Sequence, residues 1–125
     1  RASIVCSCFG TRSILDGFKN GGYTSTEMTV GGGATASRLW MQIHADTAGI
    51  PVRIPASTDA PSMGSAILAA YGAGHFASID EGIRAMVKPG ILIEPDPVAM
   101  AAYESVYQQY RALYPALKDI REQSE

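Results

Sequence analysis

An α/β domain with partly parallel strands is the fold class this sequence predicts, on three observations. Short runs of alternating apolar residues are interleaved with helical patterns along the chain, the arrangement that builds parallel pairing. Three consecutive glycines, Gly31, Gly32 and Gly33, stand between one such run and the helix after it. The chain of 125 residues is 46% hydrophobic and 18% charged, enough for one folded domain with a buried core. The strand count is low: two or three short strands fall below the about five or six of an average sheet. An open sheet edge is therefore expected, covered by further chain or by a second copy, as in a homodimer.

The first helix is predicted from Arg1 to Lys19, with Ile4, Cys8, Thr11, Leu15 and Phe18 on one stripe and Asn20-Gly21-Gly22 as its stop. Because it opens on Arg1-Ala2 with no capping residue, the sequence is expected to begin inside a longer protein. Tyr23 to Val30 reads as a strand, with Met28 and Val30 alternating against polar neighbours. A helix follows the glycines and runs to Ala48, with Leu39 and Ile43 on one face and Gly49 as a left-handed cap backed by Ile50. Pro51 to Ile54 is a second strand.

After the loop from Pro55 to Thr58, Asp59 is placed to cap a helix over Ala60 to Tyr71, with Pro61 in its first turn. Gly64 inside that helix costs about 1 kcal/mol relative to alanine, which close packing against a neighbour, the preferred reading, or the approach of a ligand would explain. Gly72-Ala73-Gly74 stops it, and Ser78 with Glu81 forms a capping box for a short helix to Val87. Lys88-Pro89-Gly90 is a turn, and Ile91 to Glu94 is extended. Asp96 then caps a long helix that Pro97 begins. Met100, Tyr103, Tyr107, Tyr110 and Tyr114, three and four apart, form a packing face on it. Pro115 should kink or end this helix, and the charged tail from Lys118 to Glu125 should fray.

A formal net charge of −2, with ten Lys and Arg scattered along the chain, leaves no basic patch for nucleic acid. No apolar run nears the about 20 residues a membrane span needs, and no leader pattern opens the chain, so a cytosolic protein is expected. Cys6 and Cys8 point in different directions on their helix and read as two small buried thiols, not as a disulfide or metal pair. His44 and His75 stand far apart with no ligand-spaced Cys, Asp or Glu, so no metal site is expected, and His44 is assigned to the polar side of its helix. Asp46, Asp59, Asp80 and Glu81 read as helix surface or caps, and Ser37, Ser62 and Ser65 have no partnered base. No catalytic residue is therefore named.

The glycine triplet is the strongest feature left. Residues without Cβ let the backbone take positive φ and let a ligand approach the main chain, while the N–H groups opening the next helix attract anions. The turn reads as a nucleotide contact, although taken alone such a triplet also serves simply as a tight turn. It is neither the lysine-bearing phosphate loop nor the GxGxxG dinucleotide fingerprint.

The block GGGATASRLWMQIHADTAGIPVRIPASTDAPSMGSAILAAYGAG contains GGGA, a W-x-Q helix, ADxxGxPV and a GSAxLAAxGxG helix, in this order. In that order the motifs resemble the C-terminal domain of FGGY-type carbohydrate kinases. RASIVCSCFGTRSILDGF looks like the helix before the strand in that family, and YESVYQQYRALYPALK like its closing helix. The resemblance implies that residues 1–125 are the C-terminal, nucleotide-side part of a ribonuclease-H-like, actin-like ATPase domain. It implies an enzyme that uses ATP and Mg²⁺ to transfer the γ-phosphate to a sugar or polyol hydroxyl, with two domains closing around both substrates. Gly32, Gly33 and Ala34 would lie along the nucleotide and Ser37 would face its ribose or adenine side, with Arg38 and Gln42 as lesser candidates for the same site. The catalytic aspartate, the sugar-binding residues and the Mg²⁺ ligands would lie upstream of this stretch, so the chain alone would be inactive. Val5 stands where the family often has an acidic residue, and Cys6 where it has glycine. The DAPSMGSAILAA stretch looks most like ribulokinase-related branches, which points to a pentulose. The alternative is a non-catalytic binding or assembly module that uses its open sheet edge.

Overall fold

Val52 is completely buried at the centre of a three-stranded sheet. A computed structural model describes the backbone of residues 2–57 and 59–122, with side chains described through residue 118. The elements in order are α1 (Ala2–Asn20), β1 (Met28–Thr29), a 3₁₀ turn (Gly33–Ala36), α2 (Arg38–Ala48), β2 (Val52–Ile54), α3 (Ala60–Gly72), α4 (Ile79–Met86), β3 (Ile91–Ile93) and α5 (Pro97–Glu122). The sheet order is β1-β2-β3. β1 pairs parallel with β2, with Met28 opposite Val52, and β3 runs antiparallel to β2, with Ile91 opposite Ile54 and Ile93 opposite Val52. The expected mixed α/β sheet is present, and β1 and β3 are its edges.

β1 is far shorter than the Tyr23–Val30 reading. The close of α1 takes the chain away: Gly22 at φ +88° lets the Tyr23 N–H donate back to Phe18 O at 2.9 Å. Thr24, Ser25 and Thr26 then offer no apolar side chain to the core.

Met41 and Ala45 of α2 meet Val52 and Ile93 of the sheet in the core, ringed by Met28, Val30, Ala34, Trp40 and Ile54. On its other sides α2 packs against α1 and α5. This enclosure overturns two sequence expectations, since α2 has little polar side left. Asp46 is only 6% exposed. His44 is half-buried, its ring stacked on Trp40 at 6.2 Å between centroids. Cys8 is buried but Cys6 is exposed, because residues two apart on a helix face different ways.

The α1–α5 contact centres on Phe9, whose ring lies 6.2, 5.4 and 5.6 Å from those of Tyr103, Tyr107 and Tyr110. The aromatic stripe is a packing face, although Tyr114 at its end stays 63% exposed. Tyr107 is buried and donates its hydroxyl to Asp16 Oδ2 at 2.5 Å, while the Arg12 guanidinium sits 3.9 Å over its ring and pairs with Glu104 at 2.6 Å.

The local helix signals hold. Gly49 takes the left-handed conformation at φ 70°, Asp59 accepts from Ser62 N at 3.3 Å, and Asp96 Oδ1 accepts from Val98 N at 2.9 Å. Ser78 Oγ accepts from Glu81 N, but Glu81 reaches back to Ala77 N instead of Ser78 N. Pro115 does not end α5, which continues to Glu122. The proline φ suits a helix, and Ala116, Leu117 and Lys118 after it are strong helix formers. Expectations for Arg1, Thr58 and residues 123–125 lie outside the described residues. Gly64 is not a packing glycine, since a Cβ there would meet nothing within 4 Å. Gly82 is: a Cβ would lie 2.9 Å from Ile67 Cγ2 and 3.0 Å from Phe76 Cδ2, where α4 crosses α3. Among the described residues no helix is long and apolar enough to cross a membrane.

Candidate functional site

Where β1 ends, Val30 still donates to Arg53 O at 2.9 Å and packs on the core, so the glycines that follow are held at the end of the sheet. Gly32 has φ 85° and ψ −171°, a region essentially closed to residues with a Cβ. The helix does not follow directly, as the sequence had suggested. A 3₁₀ turn intervenes, closed by Thr35 N and Thr35 Oγ1 on Gly32 O at 3.1 and 2.7 Å and by Ser37 N on Ala34 O at 3.1 Å. The opening N–H groups of such a turn have no partner inside it. α2 then starts afresh at Ser37, whose Oγ accepts from Trp40 N at 3.3 Å.

Beside this turn lies an open cleft of about 740 Å³. Gly32, Gly33, Thr35 and Ala36 form one wall. Ile54, Pro55 and Ala56 continue it, Asp59 and Pro61 bring in the start of α3, and Gly90 and Ile91 close the far side. A Cβ on Gly32 or Gly33 would meet nothing within 4 Å, so bare main chain faces the cleft. Gly90 works in the opposite sense: a Cβ there would lie 2.6 Å from Pro55 C and 2.7 Å from Ala56 N, and closer still to Ile54 O. The far wall can therefore sit this near β2 only through glycine.

Electrostatically the cleft has two ends. The glycine turn presents backbone N–H groups, suited to an anion. At the other end the Asp59 carboxyl, held below its ordinary value by hydrogen bonds from Ser62, is ionised at neutral pH and accepts donors. Among the described residues no three His, Cys, Asp or Glu side chains come together as a metal site. A second groove, about 690 Å³ between α1 and α5, is lined by Val5, Phe9, Val106 and Leu113 with few convergent polar groups, which suits it less well to a small polar ligand.

Of the residues singled out from sequence, Gly32 and Gly33 line the cleft, but Ala34 and Ser37 do not. Ala34 faces the core, and the Ser37 hydroxyl is engaged as the α2 cap. Arg38 is exposed. Gln42 is committed elsewhere, its Nε2 donating to Asp46 Oδ1 at 2.8 Å and to Glu94 O at 2.9 Å. Sequence reasoning missed Thr35, Gly90 and Ile91 and assigned Asp59 to a cap alone. The capping signal of Asp59 is real, but only the parallel β1–β2 pairing brings it opposite the glycines.

Residues 1–73, from α1 to the end of α3, match the C-terminal domain of the FGGY family of carbohydrate kinases. The chain belongs to this family. It is 34% identical to a xylulose kinase of Staphylococcus epidermidis over 113 residues, covering 88% of this chain and 23% of that protein. With a ribulokinase of Anoxybacillus flavithermus it is 37% identical over 120 residues, 91% of this chain and 21% of that one. The crystal structure of xylulose kinase from Rhodospirillum rubrum superposes with a TM-score of 0.79 at 30% identity, over 96% of this chain and 24% of that chain. The FGGY chain thus spans between a fifth and a quarter of the length of these relatives. Gly32, Gly33 and Asp59 fall inside the matched span, whereas Gly90 and Ile91 lie beyond it.

Proposed function

We propose that this chain is the nucleotide-side part of an ATP-dependent carbohydrate kinase, within an actin-like, ribonuclease-H-like ATPase domain, and that its acceptor is a sugar or polyol, a pentulose first of all. The observation that carries this reading is the open cleft against which Gly32 and Gly33 present main chain without side chains. A polyphosphate fits such a wall: backbone N–H groups neutralise its charge and no Cβ blocks its approach. The names of the relatives, xylulose kinase and ribulokinase, support the acceptor class.

In this reading ATP, when bound, supplies the transferred γ-phosphoryl group. Gly32 and Gly33 hold its phosphates, and Ile54, Pro55 and Ile91 exclude water from the cleft. Asp59, being ionised, disfavours phosphate at its own end and so sets the direction in which the nucleotide lies. Phosphoryl transfer depends mainly on positioning and charge stabilisation, so a portion that only holds the nucleotide is still essential. The base, the Mg²⁺ ligands and the sugar contacts come from the remainder of the intact kinase. Assembly through a sheet edge is the weaker reading, because β1 and β3 offer only two and three residues for pairing.

Gly33→Asp in the intact kinase tests the proposal. A Cβ has open space there and φ is not positive, so folding should be unaffected. A carboxylate about 5 Å from a phosphate charge costs about 3 kcal/mol at an effective dielectric of about 20, so ADP affinity measured by calorimetry should fall about a hundredfold. Unchanged affinity would remove Gly33 from the site.

A further inference from the structure

We infer that Gln42 and Asp46 are positioning residues for the cleft, holding its β3 wall in place through the segment that leaves that strand. The inference rests on the nucleotide reading above and adds to it the device that keeps the two walls in register.

The two side chains lie four apart on α2 and so share a face. Gln42 Nε2 has two hydrogens and both are used, one toward Asp46 Oδ1 at 2.8 Å and one toward Glu94 O at 2.9 Å. Asp46 Oδ1 also accepts the Asp96 N–H at 2.8 Å. Asp96 in turn caps α5 through Val98 N. Two hydrogen bonds thus tie α2 to the stretch from Glu94 to Asp96, a third joins Gln42 to Asp46 within the helix, and Asp46, where two of the three meet, is only 6% exposed. Low local dielectric strengthens such bonds and makes their loss costly.

The placement explains the purpose. α2 is capped by Ser37, directly after the turn that forms the glycine wall, and its Gln42 and Asp46 hold the segment just past the end of β3. The start of β3, at Gly90 and Ile91, is the opposite wall. β3 has three residues and, among the described residues, pairs only with β2, too short a ladder to fix a wall by itself. One helix therefore carries one wall and anchors the other. Neither Gln42 nor Asp46 lines the cleft, so their action on a nucleotide goes through β3.

The experiment compares Gln42→Met, Asp46→Leu and Asp46→Asn with wild type in the intact kinase, well below each variant's melting temperature. ADP affinity is read by calorimetry, and ATP and sugar KM and kcat by steady-state kinetics. Gln42→Met and Asp46→Leu should weaken ADP binding and raise KM for ATP about tenfold, with sugar KM and kcat at saturating ATP nearly unchanged, because a small misplacement costs binding of the group it touches. Asp46→Asn keeps an acceptor oxygen for Asp96 N and should restore affinity to within about threefold of wild type. Should Asp46→Leu fail to fold, Gln42→Met decides alone, since it leaves the Asp46–Asp96 bond intact. A folded Gln42→Met protein that melts lower but binds ADP as tightly as wild type would overturn the inference, showing a network that serves stability only. Wild type that binds no ADP would instead overturn the nucleotide reading, and the positioning role with it.

Discussion

Replacing Gly90 by alanine should both destabilise the chain and disturb the cleft, and its magnitude follows from the geometry. The added Cβ would sit 2.6 Å from Pro55 C and 2.7 Å from Ala56 N, and nearer still to Ile54 O. Carbon atoms rest comfortably at about 3.5–4.0 Å, so β3 must withdraw by about 1 Å. The atoms in the way belong to the backbone, which cannot swing aside as a side chain would. A retreat of that size takes N–H···O contacts past the about 3.2 Å limit and undoes the Ile54–Ile91 pairing. Two lost hydrogen bonds at about 1 kcal/mol each, added to the residual strain of an overpacked site, amount to about 3 kcal/mol. For a chain of this length that lowers Tm by about 10 °C. Thermal unfolding followed by far-ultraviolet circular dichroism reads the shift, and ADP affinity should fall in parallel because Gly90 forms the far wall. A Gly90→Ala protein melting within about 2 °C of wild type would refute the close approach of β3 to β2.

Two further outcomes follow from burial. Desolvation holds the His44 imidazole below its ordinary value of 6.5, so the unfolded chain takes up the proton first. Stability should be complete above about pH 6.5 and decline as pH falls below it, by at most about 1.4 kcal/mol per pH unit. Denaturant unfolding at pH 7 and pH 5 should show this decline in wild type but not in His44→Phe; equal declines in both would place its origin elsewhere. Glu27, held down by its hydrogen bond to Arg53, and Glu104, held down by Gln108 and then Arg12, lose their contributions only at lower pH, below about 4.5. Cys6 is exposed, while burial pushes the Cys8 thiol up. Brief alkylation of the native protein followed by peptide mass mapping should label Cys6 well ahead of Cys8, and equal labelling would contradict the packing of α1 on α2.

The caps at Gly49, Asp59, Ser78 and Asp96 were legible because each signal is contained within three or four residues of chain. His44 and Asp46 were misassigned for the complementary reason. Whether a helix face is wet depends on how many neighbours enclose it, and α2 is enclosed by α1, α5 and the sheet. Glycines divide in the same way: Gly32 announces itself by its two glycine neighbours, whereas the need for glycine at Gly82 and Gly90 arises only where separate elements cross. At Gly64, conspicuous inside its helix, an added Cβ would meet nothing within 4 Å, so a glycine in a helical pattern does not by itself mark a close packing contact. Half of the candidate site was visible from the triplet. Its other half, from Asp59 to Ile91, depends on strand order, which the local pattern does not encode.

The central claim is that nucleotide phosphate lies against the main chain of Gly32 and Gly33. Titrating the intact, isotope-labelled kinase with ADP and following its backbone amide resonances tests this most directly. The account predicts that the largest shifts fall on Gly32, Gly33 and Thr35, with smaller ones at Ala56 and Ile91, and none along the α1–α5 groove at Phe9 or Val106. Saturable ADP binding that leaves Gly32 and Gly33 unmoved would contradict it.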